Sequence, residues 1–540
     1  MAQRKYMKRQ MLLSVGVALG LGFLLYVLLD PDSFVRQMLD PENPAKENGG
    51  LLSFVRNYGY WIFIVYIALT AFLLFLENRN PDRTLTWLLV LGLFPVAGLL
   101  FYWFVGPNFR YLADKRRFRL PKPPLGALIP PEQLKNSLVA DTAALLYRSG
   151  GAKLQPKGGA RLLIDGTQTY AAMIGAMEAA RHSILLESYI LADDGVGETF
   201  KELLMRKARD GVKVCVIYDA VGSWRIGKRY VRDIREAGGH IFAFLPVSFP
   251  MFRGANYRNH RKILVVDNLL GFLGGLNICD DCAGGNIKVG RWRDTHLMIR
   301  GGGVAVLRSI FFRDLAVCGA PPEVQAELSR VAQLPPHESS AVMETFLRGE
   351  EGEAFARNVL MQIAASGPDT AWDTIQKAFF SMITRATKRV WITTPYMIPG
   401  DTLLNALCMA ALSGVDVRVL LPGKGDHALV TWASMNCLEE LLRAGARVFL
   451  YSNDGFVHAK TVTADGSVTA VGTANFDTRS LSINFEVQAF VYDEELTSEA
   501  EAMFERDLAN AVELTFAVWS RRSLVQRIKE NIGKLISPLA

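Results

Sequence analysis

The chain has 540 residues, half of them hydrophobic, with 60 basic against 53 acidic side chains and a net charge of +7. That length exceeds one ordinary core and implies two or more globular units, while the charge excess is modest for so long a chain. The six cysteines (Cys215, Cys279, Cys282, Cys318, Cys408, Cys437) do not form the pattern of a disulfide framework, and the single CxxC at Cys279 and Cys282 lacks the second pair that a zinc site needs.

Residues 11–29 carry no charge. At about 1.5 Å per residue such a run just crosses a hydrocarbon core of ~30 Å. Arg4, Lys5, Lys8 and Arg9 precede it, as in a secretory leader. The run is longer than the usual apolar core of a leader, however, and Leu28-Leu29-Asp30 is a poor cleavage site, so an uncleaved span is expected. Residues 58–76 and 84–105 are two further uncharged runs, joined only by residues 77–83, and they predict a tight helical hairpin. Arg110, Lys115, Arg116, Arg117, Arg119 and Lys122 then crowd one stretch, a collar suited to anionic lipid on the cytoplasmic side. Nucleic acid competes for any basic patch, but one beside a bilayer favours lipid. Basic residues flank both ends of the three runs, although three crossings place those ends on opposite sides. The larger, later cluster predicts that the rest of the chain is cytoplasmic, with the first segment either running against the charge rule or not fully crossing.

A connector holding Pro121, Pro123, Pro124, Pro130 and Pro131 leads into a soluble α/β pattern that contains an internal repeat. The strand-like residues 183–189 (SILLESY) match residues 389–396 (RVWITTPY). A helical segment follows each, then the strands 211–217 (GVKVCVI) and 414–420 (GVDVRVL). Next come helices closed by Gly238 and Gly445, residues suited to a C-cap. Near residues 319–338, four prolines around a short polar helix divide the copies. The expected organisation is an N-terminal hydrophobic segment and loop (1–57), a membrane hairpin with basic collar (58–122), a first repeat (123–320), a linker (321–344) and a second repeat (345–540). The second repeat ends in an amphipathic helix.

The copies agree most closely around two histidines. His260 is followed by Lys262, Asp267, Gly274 and Asn277; His458 is followed by Lys460, Asp465, Gly472 and Asn475. The offsets are the same in both, 2, 7, 14 and 17 residues. One HxK would be weak, but a duplicate inside a repeat is specific. Residues 263–266 read as a buried strand, and alternation puts each histidine and its lysine on one face. A pseudo-two-fold axis relating the copies would gather two His, two Lys and two Asn at one phosphodiester. One imidazole can attack phosphorus and the other can protonate the leaving alkoxide, while Lys262, Lys460, Asn277 and Asn475 stabilise charge on the non-bridging oxygens. That set needs no metal. Asp294 and Glu486, each following the Asn of its own copy, are candidates to orient the imidazoles. Asp267 and Asp465 complete the motif and are counted with its catalytic residues, although their strand-to-turn position points to capping. Tyr257, Arg258 and Asn259 either line the pocket mouth or decorate a loop. In residues 521–536, Leu524, Val525, Ile528, Ile532 and Leu535 share a helical stripe, with Arg521, Arg522, Arg527, Lys529 and Lys534 mostly elsewhere. Packing on the core is expected of this helix, with an interfacial helix on anionic lipid as the alternative.

The duplicated HxKx4D…GGxN/GTxN segments resemble the phospholipase D superfamily. The hairpin residues 76–81 (LENRNP) and 85–88 (LTWL), together with Asn259-His260-Arg261-Lys262, residues 292–296 (WRDTH) and the ending 537–539 (SPL), are similar to the bacterial cardiolipin synthases. The resemblance implies two phospholipase D-like α/β/α repeats forming one pseudo-two-fold catalytic unit behind N-terminal transmembrane helices, in a multi-pass protein of the bacterial cell membrane. It implies a phosphatidyltransferase that condenses two phosphatidylglycerols into cardiolipin and glycerol through a phosphohistidine, without metal or organic cofactor, with His260 as nucleophile and His458 as acid. Its partners would be phosphatidylglycerol and other anionic membrane lipids, with no nucleic acid. Phospholipase D-type hydrolysis and phosphatidylserine synthesis are alternatives within the same chemistry. A membrane-tethered nuclease and a non-catalytic lipid-binding scaffold are alternatives of other classes; a scaffold is expected to have lost one of the His, Lys or Asn residues, and none is missing.

Overall fold

The computed structural model describes residues 81–94, 134, 136–247, 256–285, 290–332, 356–452 and 454–536, together with Leu74, Gly98 and Tyr102. The chain forms two compact units, residues 1–117 and residues 118–538. In the first, the helix Pro81–Leu93 buries Trp87 and Leu91 in a small apolar cluster with Leu74, and Tyr102 packs edge-on to Trp87 with centroids 4.9 Å apart. The expected spans at 11–29 and 58–76 lie outside the described residues, Leu74 excepted, as do the basic collar and the proline connector. The helix covers the first part of the expected 84–105 span, and most of the remainder lies outside the described residues. Among the described residues no helix is long and apolar enough to cross a membrane.

The second unit is built on a duplicated sheet. Its first copy contributes β1 (Gln155–Ile164), β2 (Ser183–Ser188), β3 (Lys213–Asp219), β4 (His240–Phe244), β5 (Ile263–Val266), β6 (Leu270–Gly274), β7 (Arg291–Arg293) and β8 (Thr295–Arg300). The second contributes β9 (Ala356–Ser366), β10 (Arg389–Thr393), β11 (Met397–Ile398), β12 (Asp416–Pro422), β13 (Arg447–Tyr451), β14 (Gly455–Val457), β15 (Thr461–Ala464), β16 (Val468–Gly472), β17 (Phe476–Asp477), β18 (Glu486–Tyr492) and β19 (Ala511–Leu514). Fifteen of these form one sheet in the order β19-β13-β12-β10-β15-β16-β18-β9-β1-β8-β6-β5-β2-β3-β4. Read outward from the antiparallel β1–β9 seam, each strand meets its counterpart: β8 with β18, β6 with β16, β5 with β15, β2 with β10, β3 with β12 and β4 with β13. The repeat is thus a pseudo-two-fold, and β6 lies close to β16 and β18.

Several central strands are buried along their whole length, with polar side chains among the apolar ones, as in β18 (EVQAFVY). All four residues of β5 and all six of β2 are buried. The helices Lys228–Glu236 and Ala428–Arg443 are followed by Gly238 and Gly445 at φ +92° and +91°, a conformation that disfavours any side chain. The polar segment between copies is the helix Pro322–Ala332.

The C-terminal helix Leu524–Ile536 departs from the expected core packing. It lies on the helix Ala428–Arg443 through its polar face. A Cβ on Gly533 would come within 2.6 Å of the Ala433 backbone, and buried Glu530 pairs with Arg522 at 2.8 Å. Arg522 also pairs with Glu439 at 2.8 Å and stacks on Trp519 at 3.8 Å. With the polar side held inward, Leu524, Val525, Ile528 and Ile532 face out, 73%, 61%, 50% and 44% exposed. The helix is amphipathic as expected, but turned over.

Candidate active site

Each histidine stands two residues ahead of the lysine that leads into a short buried strand, β5 or β15. The chain before each histidine is stitched to the other copy. His260 N–H donates to the Phe485 carbonyl at 2.9 Å, and Phe485 N–H donates to the Arg258 carbonyl at 2.9 Å. Equivalently, β14 pairs in parallel with β7, and His458 N–H donates to the Arg293 carbonyl at 2.7 Å. The residues that accept from the histidines, Phe485 and Arg293, immediately precede Glu486 and Asp294. Backbone pairing therefore sets each carboxylate beside the histidine of the opposite copy. His260 Nδ1 lies 3.0 Å from Glu486 Oε2, and His458 Nδ1 lies 2.7 Å from Asp294 Oδ2. Glu486 also accepts from Thr473 Oγ1 at 2.5 Å and from Asn484 Nδ2 at 3.3 Å, while Asp294 Oδ1 accepts from Thr295 N–H at 2.7 Å. With Nδ1 committed to a carboxylate, Nε2 is left as the ring atom for chemistry.

Two arginines absent from the sequence-based set hold these carboxylates. Arg261, fully buried between His260 and Lys262, donates through Nε to the Glu486 carbonyl at 3.1 Å and through Nη1 to Asp314 at 2.6 Å. Arg293 donates through Nε to Asp507 at 2.9 Å and through Nη1 to the Asp294 carbonyl. No repeat signal marks them, because the second copy has Ala459 opposite Arg261 and Phe485 opposite Arg293.

His260, His458, Lys262 and Lys460 are all buried. Lys262 Nζ donates to the His260 carbonyl at 2.8 Å, and Lys460 Nζ lies 2.9 and 3.0 Å from the two ring nitrogens of His458. Burial pushes both lysines down, Lys262 to about 7 and Lys460 to about 8, with Glu486 and Asp294 opposing the shift. Burial lowers both imidazoles, and for His458 the neighbouring Lys460 charge adds to it, bringing that ring to about 4. Burial alone would raise Asp294 and Glu486, yet both lie below the ordinary carboxylate range. Lys460 and His458 outweigh burial at Asp294, as His260 and Lys262 do at Glu486. With His458 neutral near pH 7, the positive charge facing Asp294 there is that of Lys460.

The histidines open onto a cavity of about 400 Å³, also lined by Asn277, Asn475, Tyr189, Trp292, Tyr396, Arg258 and Arg479. Asn277 Oδ1 accepts from Ile190 N–H at 3.1 Å. Tyr189 packs edge-on to His260 (5.0 Å) and Trp292 lies tilted against His458 (4.6 Å). Tyr189 and Tyr396 end equivalent segments of the two copies, and that matched position is the sequence signal for them. Of the three residues before His260, Arg258 lines the cavity, whereas Tyr257 and Asn259 are buried off its wall. Lys262 and Lys460 are also off the wall, against their histidines.

The motif aspartates bond backbone turns and do not line the cavity. Asp267 accepts from the backbone N–H of Arg181, His182 and Ser183, each at 2.7 Å. Asp465 accepts from those of Thr387, Lys388 and Arg389 at 2.8, 2.8 and 2.9 Å. Both sit at φ +50° in the turn after their strand, away from the cavity, and cap the start of β2 or β10. Cys279 and Cys282 are buried free thiols. Among the described residues no three His, Cys, Asp or Glu side chains group as a metal-ligand set.

Residues 379–508 match a family model described as "Cardiolipin synthase, PLD-like domain", and residues 61–107 match one described as "Phospholipase_D-nuclease N-terminal". The chain is 39% identical over 491 residues to a cardiolipin synthase of Halalkalibacterium halodurans, covering 88% of this chain and 92% of that one. It is 35% identical to the major cardiolipin synthase of Bacillus subtilis over 88% of this chain and 98% of the relative. The crystal structure of a phosphatidylserine synthase from Haemophilus influenzae shares the fold, with a TM-score of 0.52 at 14% identity over 74% of this chain and 97% of that one.

Proposed function

The chain belongs to the cardiolipin synthase family, and on that premise we propose that its cavity transfers a phosphatidyl group from one phosphatidylglycerol to another, releasing glycerol. The observation that carries this reading is the crossed pair of His–carboxylate contacts, which puts two oriented imidazoles in one cavity. In the first step, Nε2 of one histidine attacks phosphorus and the P–O bond to glycerol breaks. The second histidine, as imidazolium, gives its proton to the departing alkoxide. In the second step, a hydroxyl of the incoming phosphatidylglycerol gives its proton to that histidine, its oxygen bonds to phosphorus, and the P–N bond breaks. His260 is assigned the attack and His458 the proton transfers. Burial and the lysine charges favour neutral imidazoles, as a nucleophile requires. An anionic phosphodiester between the rings opposes that shift and lets the second ring carry its proton. Lys262, Lys460, Asn277 and Asn475 are assigned to the charge on the non-bridging oxygens.

A phosphatidylglycerol hydroxyl and water compete for the phosphohistidine by access, so the product identifies the acceptor. The N-terminal uncharged runs and basic collar support a multi-pass bacterial membrane protein with the catalytic unit on the cytoplasmic side, beside a surface rich in phosphatidylglycerol and poor in free water. With phosphatidylglycerol as sole lipid, the purified chain is expected to form cardiolipin and glycerol in equal amounts, measured by mass spectrometry, and added glycerol should drive the reaction backwards. Predominant phosphatidic acid, with no effect of glycerol, would identify a hydrolase instead.

A further inference from the structure

The cavity of about 400 Å³ is at the low end for a drug-sized ligand and cannot hold the acyl chains of two phospholipids. Those chains must lie outside it, against whatever surrounds the mouth. The mouth is bordered on one side by the overturned C-terminal helix and its support: Gly533 of the helix Leu524–Ile536 and Leu429, Val430 and Ala433 of the helix Ala428–Arg443 line the cavity. From this border the stripe Leu524, Val525, Ile528 and Ile532 faces solvent, and Leu429 is itself 48% exposed.

The other copy has an exposed apolar loop tied to the cavity-lining Tyr189. The loop after β3 is held to the cavity wall because Ser223 Oγ donates to the Tyr189 carbonyl at 3.1 Å and Asp219 accepts from Val221 and Gly222 N–H, both at 2.9 Å. That loop exposes Trp224 by 72% and Val221 by 39%. It corresponds to the segment after β12 that leads to Leu429, so the pseudo-two-fold relates this loop to the first border.

We propose that these two elements together form a bilayer-docking face of the catalytic unit, by which the C-terminal helix and the Trp224 loop enter the interface of an anionic membrane and present the cavity to lipid headgroups. The inference rests on the lipid-substrate reading above. Charge selects the occupant: Arg521, Arg527, Lys529 and Lys534 are exposed beside the stripe, and the one acidic residue of the helix, Glu530, is buried in its pair with Arg522. An apolar stripe whose neighbouring exposed charges are all cationic matches an anionic lipid surface, where tails meet the stripe and phosphates meet the rim. A polar inner face and an apolar outer face are also the arrangement expected of a helix packed between protein and lipid.

The test places a photo-crosslinking amino acid at Ile528, at Trp224 or, as a control, at exposed Ser309 in the full chain, reconstituted in phosphatidylglycerol vesicles. Mass spectrometry is expected to find lipid adducts several-fold more abundant at 528 and 224 than at 309. Equal adducts at the three positions, or adducts to a second copy of the chain in place of lipid, would overturn the proposal. A rate measurement gives an independent arm. Ile528→Asp is expected to lower turnover of vesicle phosphatidylglycerol relative to turnover of a monomeric short-chain analogue, and an unchanged ratio would count against the face. Adduct formation does not depend on the product made, so failure of the docking face and failure of the synthase reading are separate results.

Discussion

His260 Nδ1 lies 3.0 Å from Glu486 Oε2, an imidazole of one copy held by a carboxylate 226 residues away in the other. Neither copy alone contains an oriented histidine. Glu486→Gln and Asp294→Asn keep the shape but lose the negative charge and the tautomer it selects. Each is expected to lower kcat by about 10²–10⁴-fold with a much smaller change in KM. His260→Ala and His458→Ala should each abolish product while the protein remains folded. Steady-state kinetics on phosphatidylglycerol would check both. A Glu486→Gln enzyme with wild-type kcat would remove the orienting role.

The lysines make activity and stability respond to pH in opposite directions. Lys262 and Lys460 titrate at about 7 and 8 in the folded protein, whereas unfolded lysines hold their protons to about 10.4. Between pH 8 and 10 the unfolded chain therefore binds more protons, and the contribution of these groups to stability grows with pH; it is lost as pH falls through their folded values. Activity needs their charge. The kcat/KM profile, which reports the free enzyme, should fall above pH 7–8, and the kcat limb should lie higher because bound phosphodiester favours the ammonium forms. Coincident alkaline limbs for the two parameters would contradict this account.

The motif aspartates are expected to separate stability from chemistry. Asp267→Ala leaves three backbone N–H groups without their acceptor at the start of a buried strand. It should cost about 2–4 kcal/mol of stability, visible as a lowered Tm, while kcat at a permissive temperature stays close to wild type. A large loss of kcat with an unchanged Tm would restore Asp267 to the active site.

The basic cluster at residues 110–122 sets the expected orientation. In a chain lacking its native cysteines, Asn80→Cys should be labelled by an impermeant reagent from outside intact cells and Arg117→Cys should not. Labelling of Arg117→Cys from outside would mean that the N-terminal charges set the topology instead.

Sequence alone identified the repeat, the strands β2, β3, β5, β10 and β12, the capping glycines and the His, Lys and Asn pairs. Each of these is a local pattern present twice, and duplication lifts a short motif above chance. It did not reveal β1 and β9, whose antiparallel seam joins the copies; a strand pairing across some 200 residues leaves no mark in either segment. The carboxylates were legible as candidates, but the pairing of Glu486 with His260 and Asp294 with His458 was not. That exchange follows from the pseudo-two-fold, which lays the chain before each histidine along the other copy's carboxylate strand. Arg261 and Arg293 stood within the quoted motifs but were given no role, because they occupy non-equivalent positions and act through backbone carbonyls. The amphipathic stripe of Leu524–Ile536 was plain from its spacing, yet spacing gives the angle between two faces and not which of them is buried. The close approach at Gly533 and the pairing of Glu530 with Arg522 decided that, turning the polar face inward and the apolar face to the outside.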